Sequence, residues 1–221
     1  MNAAVIFDVD GVLLELTSVE EDAFFAPFVQ RYGLENLSRD WNSYAIRNDE
    51  NIIAEILARH GLPEHEHTEV VADYLDVLKQ RLKNGAIETI AIPGARDLLN
   101  KLQGSLQMGI ATANLLRAAK LRLQSVEFWN PISAHAFGAD GGGHKRQILA
   151  RAIASTGLPK NRIVYIGDNR DDVEAGLSNC VHFVGFSTNP GRLNELKHAG
   201  TNHISNNHLD TFRLIGHLLQ G

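Results

Sequence analysis

VIFDVDGVLLE, residues 5–15, is the stretch from which the rest of the chain can be read. Val5, Ile6 and Phe7 run straight into Asp8 and Asp10, and Gly11 follows. A short apolar run ended by a turn signal predicts a buried strand, with both carboxylates at its carboxyl end. Taken alone, Asp-Gly at such a place is equally at home in a solvated turn. The same kind of apolar run, counted from Ala3 in the first case, recurs at MGIAT (108–112), IVYI (163–166) and VHFVGF (181–186). Helical patterns lie between or beside them, at 93–102, 115–126, 145–155 and 171–179. Strands alternating with amphipathic helices predict an α/β fold built on a doubly wound parallel sheet covered on both faces. Ligands of such sheets bind beyond the carboxyl ends of the strands.

The alternation has one long gap. From Leu14 to about Glu88 three segments, 19–33, 48–61 and 68–85, carry apolar residues at helical spacing. Gly33, Gly61 and Gly85 end them as stop signals. This predicts a helical insertion between the first strand and the rest of the sheet.

Composition narrows the function. With 221 residues the chain suits one domain, or one domain carrying an insertion. A formal net charge of -5 argues against a nucleic-acid partner, whose footprint is clustered Lys and Arg. Cys180 is the one cysteine, so an internal disulfide is impossible and a reducing compartment is expected. No apolar run approaches the roughly 20 residues of a membrane span, and no signal-peptide pattern opens the chain. The expectation is a cytoplasmic protein without membrane or nucleic-acid partners, a monomer or homodimer.

Three more features fall at or just past strand ends. Thr112 closes MGIAT, Lys145 follows the glycine-rich GADGGGHK, and Asp168 and Asp172 lie in IVYIGDNRDD. A doubly wound sheet brings all four connections to one edge. Asp8, Asp10 and Asp168 together make an oxygen-rich pocket suited to a hard divalent cation such as Mg2+. A carboxylate, a cation, a lysine and a hydroxyl are the parts of a phosphoryl-transfer site. The second aspartate can pass a proton to the leaving oxygen. The glycines do not form a P-loop, because His144 follows Gly143 and Arg146 follows Lys145 where that motif needs Lys and then Ser or Thr.

DVDGVLLE, IATAN, the Lys145 station and GDNRDDVEAG resemble, in order, the four motifs of the haloacid dehalogenase-like hydrolase superfamily. The resemblance spans essentially the whole chain. It implies a Rossmann-like core over 1–14 and 89–221, with a small helical cap domain over 15–88. It implies that Asp8 is a nucleophile forming an aspartyl-phosphate, and that Asp10 acts as general acid and then base. Thr112, Ala113 and Lys145 would bind phosphoryl oxygens. Asp8, the carbonyl of Asp10, Asp168 and Asp172 would hold Mg2+, the last through water or by orienting the others. In the cap, Arg47, Asn48 and Asp49 would face a small phosphorylated substrate, with Asp49 equally suited to be the N-cap of its helix.

Two positions depart from the pattern. Val12 stands where the family often has Thr, and GHKRQIL replaces a usual Lys-Pro, so His144 or Arg146 is an alternative to Lys145. Both aspartates point to a phosphatase; a sugar-phosphate mutase of the β-phosphoglucomutase type keeps the same pair, and a non-catalytic module retaining the fold is the remaining reading. Phosphoglycolate, sugar phosphates and nucleotides all stay open as substrates. EHEH (64–67) reads as a polar loop between helices, Asp168 or Asp171 as a helix cap, and Cys180 as a small buried residue.

Overall fold

The strand that ends in Asp8 is β1 (Ala4–Phe7), and every one of its four residues is buried. It lies between β2 (Gln107–Ala111) and β4 (Ile163–Gly167), parallel to both. β3 (His135–Phe137), β5 (His182–Phe186) and β6 (Ile204–Ser205) complete the sheet in the order β3-β2-β1-β4-β5-β6. The computed structural model describes residues 2–220, and all strand pairs among them are parallel. The order reverses direction at β1, which opens a crevice at the carboxyl edge. Phe7 pairs with both Ile110 and Ile166, so Asp8, Thr112 and Asp168 all emerge one or two residues past the same level.

Successive strand residues point to opposite faces, and each face has its own helices. Val5 and Phe7 pack with Leu98 and Leu99 of α4 (Ala95–Leu102), Leu123 of α5 (Leu116–Ser125) and Ile215 of α10 (His208–Gln220). Ala4 and Ile6 pack on the other face with Ile148 and Leu149 of α7 (Lys145–Thr156), Val173 of α8 (Arg170–Asn179) and Leu196 of α9 (Pro190–His198). Each fully buried large aliphatic side chain contributes about 1.5–3 kcal/mol here. A short α6 (Trp129–Ile132) leads into β3.

Residues between β1 and α4 form three helices, α1 (Ser18–Tyr32), α2 (Asp49–Arg59) and α3 (Glu66–Lys83). Thr17 and Glu20 close a capping box at the start of α1, and Gly33 ends it at φ 67°. Phe24, Phe28, Ile53, Ile56, Val70 and Leu78 build a separate apolar cluster, which continues onto Leu115 and Ala118 beside and within α5. The two chain crossings between this insert and the sheet run side by side: Leu14 bridges Ala91, and Glu15 N donates to the Ile90 carbonyl at 2.9 Å.

Several expectations need correction. β3, β6, α6, α9 and α10 were not anticipated; strands of three and two residues carry too little pattern to read. Glu66 and His67 belong to the first turn of α3, so EHEH is only half a loop. Cys180 is exposed rather than buried, because it sits past the end of α8 at φ 56°, in a left-handed cap. Among the described residues no helix is long and apolar enough to cross a membrane.

Candidate active site

Asp8 continues β1 by one residue, its N–H donating to the Ile166 carbonyl at 2.8 Å. Its Oδ1 accepts from Val9 N at 2.8 Å and lies 2.8 Å from Lys145 Nζ. Only 5% of Asp8 is exposed. Burial pushes its carboxyl well above the usual range and Asp172 and Asp168 push the same way, while the Lys145 ammonium opposes them. The chain must then leave the sheet without covering the carboxylate. Gly11 does this at φ 75°, and a Cβ there would come within 2.3 Å of Asp168 Oδ2. Both the backbone angle and the space demand glycine.

Lys145 opens α7, reached through the glycine loop at 141–143. Its Nζ bridges Asp8 Oδ1 and, at 3.0 Å, Asp172 Oδ1. Burial alone would lower its pKa, but Asp172 and Asp8 outweigh it and the net shift is upward. His144 and Arg146, the other candidates for the cationic station, are exposed. Asp172 is fully buried and fully occupied. Its Oδ1 takes the Tyr165 hydroxyl at 2.5 Å, and its Oδ2 takes Asp168 N at 3.1 Å and Asn169 N at 3.3 Å. Gly167 is required beneath it, since a Cβ there would meet the Asp172 Cβ at 2.3 Å.

Oxygens of Asp8, Asp168 and Asp172 lie within 4.8 Å of one another, a donor set of hard carboxylates that fits a divalent cation. Burial and Asp172 raise the Asp168 carboxyl to about 6, against a hydrogen bond from Asn169. Because both Asp172 oxygens are already bonded to protein groups, Asp8 and Asp168 are the carboxylates left to face an ion.

Thr112 is buried; its hydroxyl donates to Asn114 Oδ1 and accepts from Asn114 N, both at 3.2 Å, which shapes the turn after β2. The helical insert docks on that turn. Asp49 N donates to the Ala113 carbonyl at 3.0 Å, and Asp49 Oδ2 accepts from Leu115 N at 2.8 Å. Burial lifts the Asp49 carboxyl to about 7 in spite of that bond. The N-cap of α2 is therefore Asn48, whose side chain accepts from Asn51 N and donates to the Gly143 carbonyl at 2.6 Å. Arg47 sits nearer the mouth, 3.6 Å from Asp171, and both are partly exposed. The cap of α8 is Asn169, in place of either Asp168 or Asp171.

A cavity of about 530 Å³ lies between sheet edge and insert. Asp8, Asp10, Thr112, Ala113, Lys145 and Asp168 line it from the sheet, and Arg47, Asn48 and Asp49 from the insert, with Phe24, Trp41, Ile52 and Tyr74 giving apolar wall. Asp172 stands behind Lys145, outside the lining. The Asp10 carboxylate turns to Arg122, whose terminal nitrogen donates to Oδ1 at 2.7 Å. Sequence reading missed Arg122, Glu20 and Tyr165. Arg122 had a legible signal, for it occupies the buried stripe 118, 119, 122, 123 of α5, where an apolar residue belongs.

The same fold is found in solved structures of low sequence identity. CbbY from Rhodobacter sphaeroides, in complex with phosphate, is 18% identical with a TM-score of 0.76, over 94% of this chain and 95% of that one. A predicted phosphatase from Clostridium acetobutylicum is 22% identical with a TM-score of 0.70, over 98% and 99%. A putative beta-phosphoglucomutase from Bacteroides vulgatus is 21% identical with a TM-score of 0.71, over 99% and 89%. No curated protein sequence matches the chain. The family model for haloacid dehalogenase-like hydrolases matches residues 5–186, from β1 through β5 and across the whole insert, and the chain belongs to that family.

Proposed function

We propose that the protein is a Mg2+-dependent phosphomonoester hydrolase acting on a small phosphorylated metabolite, with residues 15–88 serving as its cap. The observation that carries this is the convergence of Asp8, Asp10, Thr112, Lys145 and Asp168 on one cavity under the insert. In this reading an Asp8 oxygen bonds to phosphorus as the ester P–O bond breaks, and the departing alkoxide takes a proton from Asp10. Water then gives a proton to the Asp10 carboxylate while its oxygen bonds to phosphorus. The bond between phosphorus and Asp8 breaks, releasing inorganic phosphate and restoring the carboxylate. Lys145 and Thr112, with the backbone of Ala113, hold the non-reacting phosphoryl oxygens.

Asp8, Asp168 and the Asp10 carbonyl would hold the ion, and Asp172 would orient Lys145 and the Asp168 turn. Bound there, Mg2+ neutralises charge that would otherwise keep phosphate from a carboxylate nucleophile. Arg47 at the mouth, over an apolar wall, is the residue placed to read the organic part of the substrate. Among the fold relatives, the R. sphaeroides protein has been solved with phosphate and with xylulose-(1,5)bisphosphate, which supports a phosphorylated ligand of modest size.

The test is a panel of phosphoglycolate, sugar phosphates and nucleotides, incubated with the purified chain with and without Mg2+. Release of inorganic phosphate from one class, dependent on Mg2+, is the expected result. Isomerised sugar phosphate without net release would instead identify a mutase, and neither product from any compound would leave a binding module.

A further inference from the structure

We propose that Arg122 is a positioning residue, orienting Asp10 for proton transfer and making that orientation depend on closure of the helical insert; the inference rests on the phosphatase reading above. A guanidinium only 3% exposed, on the buried stripe of α5, needs its donors satisfied or it is strongly destabilising. Arg122 meets that need by reaching segments from both parts of the fold. Its NH2 donates to Asp10 Oδ1 at 2.7 Å and to the Glu15 carbonyl, in the crossing between sheet and insert, at 3.0 Å. Its Nε donates to Glu20 Oε1 at 2.7 Å, and its NH1 contacts Asn114 Oδ1 at 3.4 Å in the turn that carries Thr112.

Glu20 belongs to the insert and is 4% exposed. Its other oxygen accepts the N–H and the hydroxyl of Thr17, at 2.9 and 3.0 Å, so its carboxylate travels with the start of α1. Any swing of the insert about the paired crossings at Glu15 and Ile90 draws Glu20 away from Arg122. With Glu20 withdrawn, Nε loses its charged acceptor and the planar fork is no longer held from the insert side, which frees the donor on Asp10 to reorient. With Glu20 in place the fork fixes Oδ1 of Asp10. Among the described residues Oδ2 of Asp10 has no hydrogen-bond partner, and it is the oxygen available to exchange a proton with substrate or water. Asp10 is thereby competent when the insert is closed over the substrate and the one attacking water, and released when it opens.

A purely structural clamp would lower every step together, whereas a positioning role acts on the steps that need Asp10. The experiment uses the full-length Arg122→Lys and Arg122→Met variants, with thermal melting as a check on folding, and Glu20→Gln as a variant that leaves the arginine in place. An aryl phosphate, whose leaving group needs no acid, is compared with an alkyl phosphate. On the aryl ester the Arg122 variants should give a burst of about one phenolate per site, then a steady rate roughly 100-fold below the parent's. Phosphorylated protein should accumulate and be trapped by acid quench. On the alkyl ester the first turnover should itself be slowed by a similar factor, without a burst. Glu20→Gln should give the same pattern with a loss of about 10-fold. Burst and steady phases falling in proportion on both esters, or a change in KM alone, overturns the role of Arg122. A parent chain that releases no phosphate from either ester overturns the phosphatase reading instead.

Discussion

Lys145 Nζ lies 2.8 Å from Asp8 Oδ1, although one residue opens α7 and the other directly follows β1. Both are buried, and Asp172 on the far side completes a carboxylate–ammonium–carboxylate row. Removing the central cation leaves two buried carboxylates facing each other. Lys145→Met should cost about 3–5 kcal/mol of stability, which for a chain of this size is a drop in melting temperature on the order of 10 °C. Phosphate release should fall at least 100-fold. A variant that melts with the parent would show that Lys145 does not hold the row together.

Asp8→Asn should behave in the opposite way toward stability. Burial raises the Asp8 carboxyl well above its ordinary range, so its ionised form is held at a cost near neutral pH. The amide removes that cost while Asp172 still partners Lys145. Turnover should vanish while the melting temperature stays level or rises. Hydrolysis at the parental rate would refute Asp8 as nucleophile.

Chelation should stop the reaction reversibly. Lys145 offsets Asp172 and part of Asp8, but Asp168 lies in the same cluster of carboxylate oxygens within 4.8 Å and has, among the described residues, no ammonium of its own. A divalent ion between Asp8 and Asp168 would relieve the remaining repulsion. EDTA should abolish phosphate release, Mg2+ should restore it, and Mg2+ alone should raise the melting temperature by mass action. Activity that survives EDTA removes the metal from the account.

His208 carries a separate, pH-dependent consequence for stability. Its Nε2 bonds the Val12 carbonyl at 2.9 Å, just past the turn that carries Asp8 and Asp10, and its ring stacks on Phe186 with centroids 4.3 Å apart. Burial lowers its pKa from 6.5 to about 4, although the Val12 carbonyl pulls it upward. Above about 6.5 the ring is neutral in folded and unfolded chains alike. Below that the unfolded chain takes up a proton that the folded one refuses, so stability falls as pH drops toward 4. The loss amounts to about 3 kcal/mol. Urea unfolding at a series of pH values should show this slope in the parent and a flatter one in His208→Gln. Parallel curves would exclude His208 as the titrating group.

Asp49 fastens insert to sheet through two backbone bonds, one at its own N–H and one at its carboxylate. Asp49→Ala orphans the buried Leu115 N–H at about 1–3 kcal/mol. If residues 15–88 act as a cap, KM should rise more than kcat falls, and Asp49→Asn, which keeps an acceptor, should recover most of the loss. Steady-state kinetics on all three chains decides it.

Much of the arrangement could be read before any coordinates. β1, β2, β4 and β5 carry continuous apolar runs because both faces of a parallel sheet are buried, and such runs stand out without tertiary information. The three insert helices showed in their spacing and their closing glycines. Asp8, Asp10, Thr112, Lys145 and Asp168, which line one cavity, could be grouped from sequence because strand ends in a doubly wound sheet share one edge. What escaped were pieces with no local signature. β6 has two residues and Cys180 depends on where α8 stops; Arg122 differs, since its place on the buried stripe of α5 is legible but the groups it pairs with are not.

The amino-acid order by itself determined the family, the doubly wound sheet, the place of the helical insert and the set of polar residues at the carboxyl edge. These rest on periodicity and on backbone rules that act over a few residues. Only the tertiary structure decided how the charges are shared. It set the Lys145 ammonium between Asp8 and Asp172 while leaving His144 and Arg146 exposed, turned both oxygens of Asp172 inward to Tyr165, Lys145 and the turn, and gave Asp10 and Glu20 a common buried arginine. Such choices depend on which groups lose water together when insert and sheet close, and desolvation is set by the whole fold, not by neighbours along the chain.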